Sequence, residues 1–567
     1  METNRAAPLH EGLIHFFEIF LNRFVPLFPQ LNSEELFRFP PLSQVNVRKH
    51  GESMRTVQCF AALCALLAFS NWAFGQKDPG VRGGIQNTGG GLEQQGIPIP
   101  HPPVISPNPT TGATINDNEL VSFLEGILRA GQLESTCDEC ADVTDGSPVI
   151  GLGELDPVFP QFHTNSNGLG ARHNSDQCFS CHGQPTLGGS GGFLVPNPAD
   201  KKARQAENPQ FGLIPHRYGR QNIVPSFEKR FGPIREVRFK HKSDGTPDGG
   251  VHQLWTVRGS TNDPTIPNCA LTQPDFEKEY KAGNLAFRIP LQMTGLGLLE
   301  SIQDREILAQ HDATTGLREP LGITGHPNRS GNDGTITRFG WKAQNKSITI
   351  FAGEAYNVEM GITNEAFPTA TEEDPDCQGP EKPEPNDVVR TDNTDIKNQK
   401  FDNPLHILPD WQQFQILMRF TDGPVPDPNP SESAKRGRTL FSDIGCALCH
   451  TPQMQTAPVM NSAVLQNRPV NLFSDLFVHH MGAKLADDIS QGQASGDEFR
   501  TTPLWGVGQR IFFMHDGRTA DLLQAIQQHH SEATSQYPAS EANEVVHKFN
   551  SLQEKEQQAI LDFLRSL

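Results

Sequence analysis

The sequence predicts a mainly α-helical, loop-rich chain: two small helical domains with inserted irregular and short β segments. Three observations predict it. The motif C-x-x-C-H occurs twice, at Cys178–His182 and Cys446–His450. Helical periodicity flanks each copy, with apolar residues recurring every three or four positions in 118–131, 409–422, 433–450 and 550–567. Across the whole chain 51 glycines and 45 prolines occur, and long stretches between these segments lack the patterning of a large core.

In chain order, the N-terminus is unusual. Met54-Arg55 precedes "TVQCFAALCALLAFSNWAFG", a short positive start, an apolar run and a small-x-small end. This reads as a secretory signal peptide over 54–75. A membrane anchor is the alternative, because the run approaches the ~20 residues of a spanning helix. Residues 1–53 then form a spurious extension upstream of Met54, and the mature chain starts in an oxidising compartment. Residues 76–117, rich in Gly, Pro, Asn and Gln, read as a disordered linker.

The segment 118–131 reads as a helix, 145–270 as loop, and 288–311 as a glycine-containing loop leading into a helix. A polar stretch over 368–395 separates the halves. The terminal helix carries an apolar stripe of Ile560, Leu561, Leu564 and Leu567, and Ser551 with Glu554 reads as its capping box. The expected domains are 118–395 and 396–567. The net charge is −19 and the mean hydropathy −0.48. No block of Lys and Arg stands out, which argues against nucleic acid, since phosphate binding depends on clustered cations.

C-x-x-C-H is the attachment signature of c-type haem. Two thiols add across the haem vinyl groups, and the imidazole of the next residue falls beneath the iron. Zinc is the competitor, but a structural zinc site wants four Cys or His ligands folded together. These pairs lie 268 positions apart (446 − 178), each with its own His. Cys178, Cys181 and His182 are therefore expected to hold one haem, and Cys446, Cys449 and His450 another. "KRGRTLFSDIGCALCHTP" and the terminal helix have the layout of a cytochrome c domain, with Gly437 as the point where two helices cross. A third pair, Cys137 and Cys140 in "STCDECADV", lacks the His. It reads as a local disulfide or a redox-active thiol pair. Cys269 and Cys377 are candidate disulfide partners.

Over about 150–567 the chain resembles the bacterial di-haem oxidoreductases, within the superfamily of di-haem cytochrome c peroxidases and the maturase of methylamine dehydrogenase. The similar stretches include "GLGARHNSDQCFSCH", "RIPLQMTGLGLLESI", "TITRFGWKAQNKSITIFAGEAYNVEMGITNE", "GRTLFSDIGCALCHTP", "NLFSDLFVHHMGAKLAD" and "DEFRTTPLWGVGQRIFFMHDGRTADLLQAI". The resemblance implies two cytochrome c-like haem domains about a pseudo-twofold. It implies His529 as second axial ligand of the second haem, opposite His450, with Met481, His479 or His480 as fallback. It implies Trp341 between the haems and Glu359 over the open face of the first. The glutamine that accompanies this Glu in the peroxidases has no evident counterpart; Phe351 and Ala352 stand near its place. Calcium is not expected: its positions are Arg510 and Phe512, and Arg510 brings a positive charge of its own. Glu300 lies in a similar block but reads equally as a helix-starting Glu. For the first haem an open position is preferred, with His216 and His163 as other ligands.

The expected function is an exported, periplasmic di-haem c-type oxidoreductase of the peroxidase kind. Peroxide or another small oxidant would react at the first haem, and a small redox protein, cytochrome c or cupredoxin-like, would exchange electrons at the second. The alternatives are a non-catalytic di-haem electron carrier and a maturase-like or thiol oxidoreductase acting on a protein.

Overall fold

The computed structural model describes residues 78–82, 102–131, 133–135, 165–167, 169–192, 194–196, 204–212, 222–256, 271–369 and 408–567. Outside them lie residues 1–75 with the expected signal peptide, Cys137, Cys140, Cys269, Cys377, His163 and His216. Among the described residues no helix is long and apolar enough to cross a membrane.

The helices in chain order are α1 (Asp117–Gly131), α2 (Cys178–Cys181), α3 (Phe276–Lys281), α4 (Leu296–Glu300), α5 (Asp304–Ala313), α6 (Thr315–Arg318), α7 (Ile348–Met360), α8 (Asp410–Phe420), α9 (Glu432–Asp443), α10 (Leu522–Gln528), α11 (Asn543–Ser551) and α12 (Glu554–Ser566). The described strands are two to four residues long and form two-stranded pairs only. The fold is therefore mainly helical with short β segments.

Local chemistry sets the helix ends. At α1, Asn116 accepts from the Glu119 amide at 3.0 Å, and Glu119 accepts from the Asn116 amide at 2.9 Å. At α9, the Ser431 hydroxyl accepts from the Ala434 amide at 3.1 Å. The capping box of α12 is formed by Gln553 and Glu556, not by Ser551 and Glu554. Ser551 instead ends α11, so the expected terminal helix is two helices broken at Leu552. The predicted stripe holds: Ile560, Leu561, Leu564 and Leu567 are all buried.

Two helix pairs organise the interior, and each crosses at a glycine. In the C-terminal half, α9 crosses α12 at Gly437, where a methyl group would collide with the Ala559 carbonyl. Rings of Phe441, Phe473 and Phe563 pack edge-on beside this crossing, with centroids 5.4 and 5.8 Å apart. In the other half, α1 crosses α8 at Gly126, where a Cβ would sit 2.8 Å from Leu417 Cβ and 2.9 Å from the Gln413 carbonyl. A C-x-x-C-H motif follows the first helix of each pair.

The chain is interleaved in a way its order does not announce. Helix α8 was expected in the C-terminal domain. Its Phe414 and Leu417 instead pack with Phe123 and Ile127 of α1, and the Tyr356 ring of α7 meets Phe414 edge-on at 5.0 Å. Its apolar face is complementary to α1 and α7, so it packs with helices that precede it across the expected boundary. Conversely, Ile323 belongs to the C-terminal core with Leu440 and Phe549.

The described parts of 76–117 are also held, contrary to the expected disordered linker. Val104 and Ile105 are buried, and the Ile105 amide donates to the Phe420 carbonyl at 2.8 Å. Asp78 receives two hydrogen bonds from Arg565, at 2.7 and 2.6 Å. The segment lacks a core of its own but borrows one from distant residues, which composition cannot reveal.

Candidate active site

Two large cavities lie in the interior, one at each C-x-x-C-H motif. The first encloses about 1340 Å³ free of protein atoms, its open mouth included, and is lined by Cys178, Cys181 and His182. The second encloses about 1590 Å³ and is lined by Cys446, Cys449 and His450.

The motifs are short turns that aim three side chains one way. Cys178–Cys181 is a single helical turn, and the His182 amide closes it by donating to the Cys178 carbonyl at 3.1 Å. Cys446–Leu448 is a 3-10 turn closed by the His450 amide donating to Cys446 at 2.9 Å. Burial pushes both the Cys181 and the Cys446 thiols up to about 12, so both are neutral. His182 Nδ1 lies 3.0 Å from the Gly189 carbonyl, and His450 Nδ1 lies 3.1 Å from the Phe473 carbonyl. A carbonyl only accepts, so each Nδ1 carries the proton and each Nε2 keeps a lone pair. Burial lowers both imidazoles, His450 to about 4 with nearby His529 adding to the effect, which keeps them neutral. Neutral imidazoles held through Nδ1 beside two thiols fit an iron-ligating, thioether-forming motif.

His529 sits at the end of α10 on the wall of the second cavity, with His450. Its Nδ1 lies 2.8 Å from the Ala525 carbonyl, which leaves its Nε2 lone pair free as well. Of the fallback ligands, His479 is excluded by chemistry. Its Nδ1 lies 2.8 Å from Glu541 and its Nε2 lies 2.9 Å from Asp475, so both nitrogens donate. Burial alone would lower it, but the Cys449 sulfur and the Asp475 carboxylate hold it well above its ordinary value. Cys449, Asp475 and His479 converge within 4.8 Å, a trio that could hold a metal ion only if the Cys449 sulfur were left free for it. Met481 lines the second cavity. His480 is turned toward Asp497, at 3.0 Å.

Glu359 lies near the end of α7 on the wall of the first cavity. The loop before α2 is tied to it: the Asn174 amide donates to the Glu359 carbonyl at 2.7 Å, and Asn174 Nδ2 donates to Glu359 Oε2 at 2.8 Å. Its carboxyl also hydrogen-bonds Glu236. Burial, and then the Glu236 charge, push Glu359 well above the usual carboxylate range. Burial pushes Glu236 the same way, but Arg238 and Arg288 outweigh it and hold Glu236 low. One proton thus sits between two carboxyls, on the Glu359 side.

The partner of Glu359 was missed from sequence. Glu236 comes from the strand Glu236–Phe239, paired antiparallel with Leu285–Arg288 so that Glu236 faces Arg288. Arg238 forms an ion pair with Glu236, and Arg288 reaches Asp487 at 2.7 Å. The only signal was charge alternation in "REVRF". Four glutamines do line this cavity, Gln177, Gln210, Gln292 and Gln344, none of them from α7; Phe351 and Ala352 line it too. Glu300 is occupied elsewhere, accepting from the Ile348 amide at 2.9 Å and from Arg419 at 3.0 Å.

Trp341 is 8% exposed and forms part of the wall of both cavities. Its indole donates to the Ile289 carbonyl at 2.9 Å. The His515 ring stands edge-on to it at 6.3 Å, and the Arg510 guanidinium lies 5.8 Å from its centroid.

No match was found among curated proteins. Among solved structures the chain is similar to Kuenenia stuttgartiensis hydrazine synthase, with 17% identity over 29% of this chain and 56% of that chain, and a TM-score of 0.18. It is similar to a MauG-like protein associated with microbial copper homeostasis, with 14% identity over 48% of this chain and 88% of that one, at a TM-score of 0.24. It is similar to the dihaem peroxidase BthA from Burkholderia thailandensis, with 13% identity over 56% and 90%, again at 0.24. The chain thus spans little more than half of the hydrazine synthase chain. Residues 425–567, which begin just past α8 and carry the second motif, match the family described as "Di-haem oxidoreductase, putative peroxidase".

Proposed function

We propose that the protein is an exported di-haem c-type oxidoreductase of the peroxidase kind. One haem is attached through Cys178 and Cys181 with His182 as ligand, and another through Cys446 and Cys449 with His450. Bound haem supplies a redox-active iron to each cavity. The observation that carries the reading is the contrast between the two cavities. The second offers His450 and His529, each held through Nδ1 with Nε2 free, and the His515 imidazole lines it as well. Among the described residues the first offers His182 alone, together with the shared proton of Glu359 and Glu236.

The first cavity suits peroxide. Breaking an O–O bond requires a proton to leave one oxygen and arrive at the other, and a positioned carboxyl does this for about 10²- to 10⁴-fold in rate. Glu359 holds that proton, Glu236 polarises it, and Asn174 fixes the carboxyl. Trp341, part of both walls, is the side chain through which charge passes between the cavities. A small redox protein, cytochrome c or cupredoxin-like, is the electron donor or acceptor. Export follows from the signal peptide read at 54–75 and from the oxidising assembly that c-type haem requires.

The test is spectroscopic. Purified holoprotein should show one haem that reacts with hydrogen peroxide, and turnover with a reduced donor should disappear in Glu359→Gln while both haems remain attached. Two haems inert to peroxide and carbon monoxide in every redox state would leave only an electron carrier.

A further inference from the structure

Buried cations in this fold face carboxylates. Arg288 and Lys342 share Asp487, at 2.7 and 3.1 Å. Arg468 meets Asp422 at 3.3 Å, and Arg565 meets Asp78 at 2.6 Å. Arg318 leaves two nitrogens without hydrogen bonds, yet the charges of Asp475 and Glu541 act on it.

Arg500 and Arg510 break the pattern. Among the described residues neither takes part in an ion pair, and burial alone drags both down to about 10 with no opposing charge. Arg500 is 6% exposed; its Nε donates to the Gly340 carbonyl at 2.8 Å and its Nη1 has no partner. Arg510 is half-buried as a residue, but its Nε and Nη2 are shut from solvent and have no partner either. A buried charge without a counter-charge is strongly destabilising, so two such guanidinium groups on the walls of the same cavities call for an anion.

The geometry says where that anion lies. Both arginines line the second cavity, and both line a smaller space of about 390 Å³ that shares Leu291, Gln292 and Gly340 with the first cavity's wall. They flank Trp341: the Arg500 amide donates to its carbonyl at 2.8 Å, and Arg510 lies over its ring. A planar guanidinium with free donors is matched to a carboxylate.

We infer that Arg500 and Arg510 form a carboxylate-binding site beside Trp341, which receives the acidic side arms of the cofactor seated in the second cavity. This rests on the reading of that cavity as a haem site. The shared chemistry is the carboxylate; a free dicarboxylate is the other source.

The test uses the full chain with Cys446→Ala and Cys449→Ala, so that haem is taken up at His450 and His529 without covalent attachment. Protohaem and its dimethyl ester, which lacks the acids, are titrated by absorbance. Protohaem should bind about tenfold or more tightly than the ester for each arginine engaged, since a charge-assisted hydrogen bond contributes roughly 1.5–3 kcal/mol. Arg500→Gln and Arg510→Gln should erase the preference, and the Lys variants should keep part of it. Equal binding of both compounds, with no response of the melting midpoint to malonate, overturns the inference while leaving the haem site standing. A midpoint raised by malonate in the parent and not in the Gln variants, without ester discrimination, assigns the site to a free dicarboxylate. Binding of neither compound sinks the haem reading itself, and the malonate arm then decides the anion site alone. Should the cysteine variant not fold, resonance Raman of the native holoprotein replaces it. The propionate-bending band should move in Arg510→Gln and stay in the surface control Arg305→Gln; an unmoved band counts against the site.

Discussion

The carboxyls of Glu236 and Glu359 hydrogen-bond each other at the wall of the cavity that holds Cys178, Cys181 and His182. They arrive from a strand and a helix more than a hundred residues apart, and they hold one proton between them. Glu359→Gln should therefore lower peroxide turnover by about 10²- to 10⁴-fold with haem content unchanged. Glu236→Gln should cost less, because it leaves the proton-bearing carboxyl in place. Equal activity in wild type and Glu359→Gln, measured by steady-state donor oxidation, would remove Glu359 from the chemistry.

The same pair gives a stability signature with a definite sign. Glu359 is raised from 4.5 to about 8 in the folded chain. In that window the folded state keeps a proton that the unfolded state has released. Raising pH therefore favours unfolding, and the contribution is lost as pH passes through the folded value. Wild type should lose stability relative to Glu359→Gln between about pH 5 and 8. Below about 4.5 the gap should be constant. Thermal melts across pH read it, and a gap that ignores pH would contradict the assignment.

Histidines 529 and 479 should separate cleanly. His529→Ala should change the ligation of the second haem, seen as a low-spin to high-spin shift in the absorbance spectrum. His479→Gln should leave that spectrum alone, because both its nitrogens are committed to Asp475 and Glu541. It should instead destabilise the fold by about 3–5 kcal/mol, by stranding two buried carboxylates. A changed spectrum in His479→Gln with none in His529→Ala would reverse the assignment.

The two helix crossings make a matched pair of substitutions. Gly437→Ala drives a methyl into the Ala559 carbonyl, and Gly126→Ala drives one against Leu417 and the Gln413 carbonyl. Overpacking of this kind costs roughly 1–3 kcal/mol. Denaturant unfolding should show both losses, the larger at Gly437, whose neighbour is backbone and gives way least.

What could be read in advance was what is local. Both motifs, the helices beside them and Gly437 at a crossing follow from residues a few positions apart, so spacing alone reveals them. Trp341 and Glu359 were reached through resemblance, and the structure sets them on cavity walls. Glu236 was not legible, because only strand pairing brings it to Glu359. The orphaned donors of Arg500 and Arg510 were not legible either, since sequence shows a charge but not the absence of its partner. The packing of α8 was not legible for the same reason: its apolar face was visible, but not the helices it would meet.

The packing of α8 against α1 carries a consequence for biogenesis. The first motif ends at His182, yet the helix that roofs its cavity ends at Phe420. A chain threaded out N-terminus first presents its first pair of thiols long before their shelter exists. The second pair, at Cys446 and Cys449, emerges a short way behind α8 and can be enclosed almost as soon as α12 follows. The earlier thiols therefore stay open to oxidants, to each other and, if a haem is attached as proposed, to its attachment for the longer time. Assembly that waits for completion would have to protect them, whereas assembly that acts on the emerging chain would find them exposed.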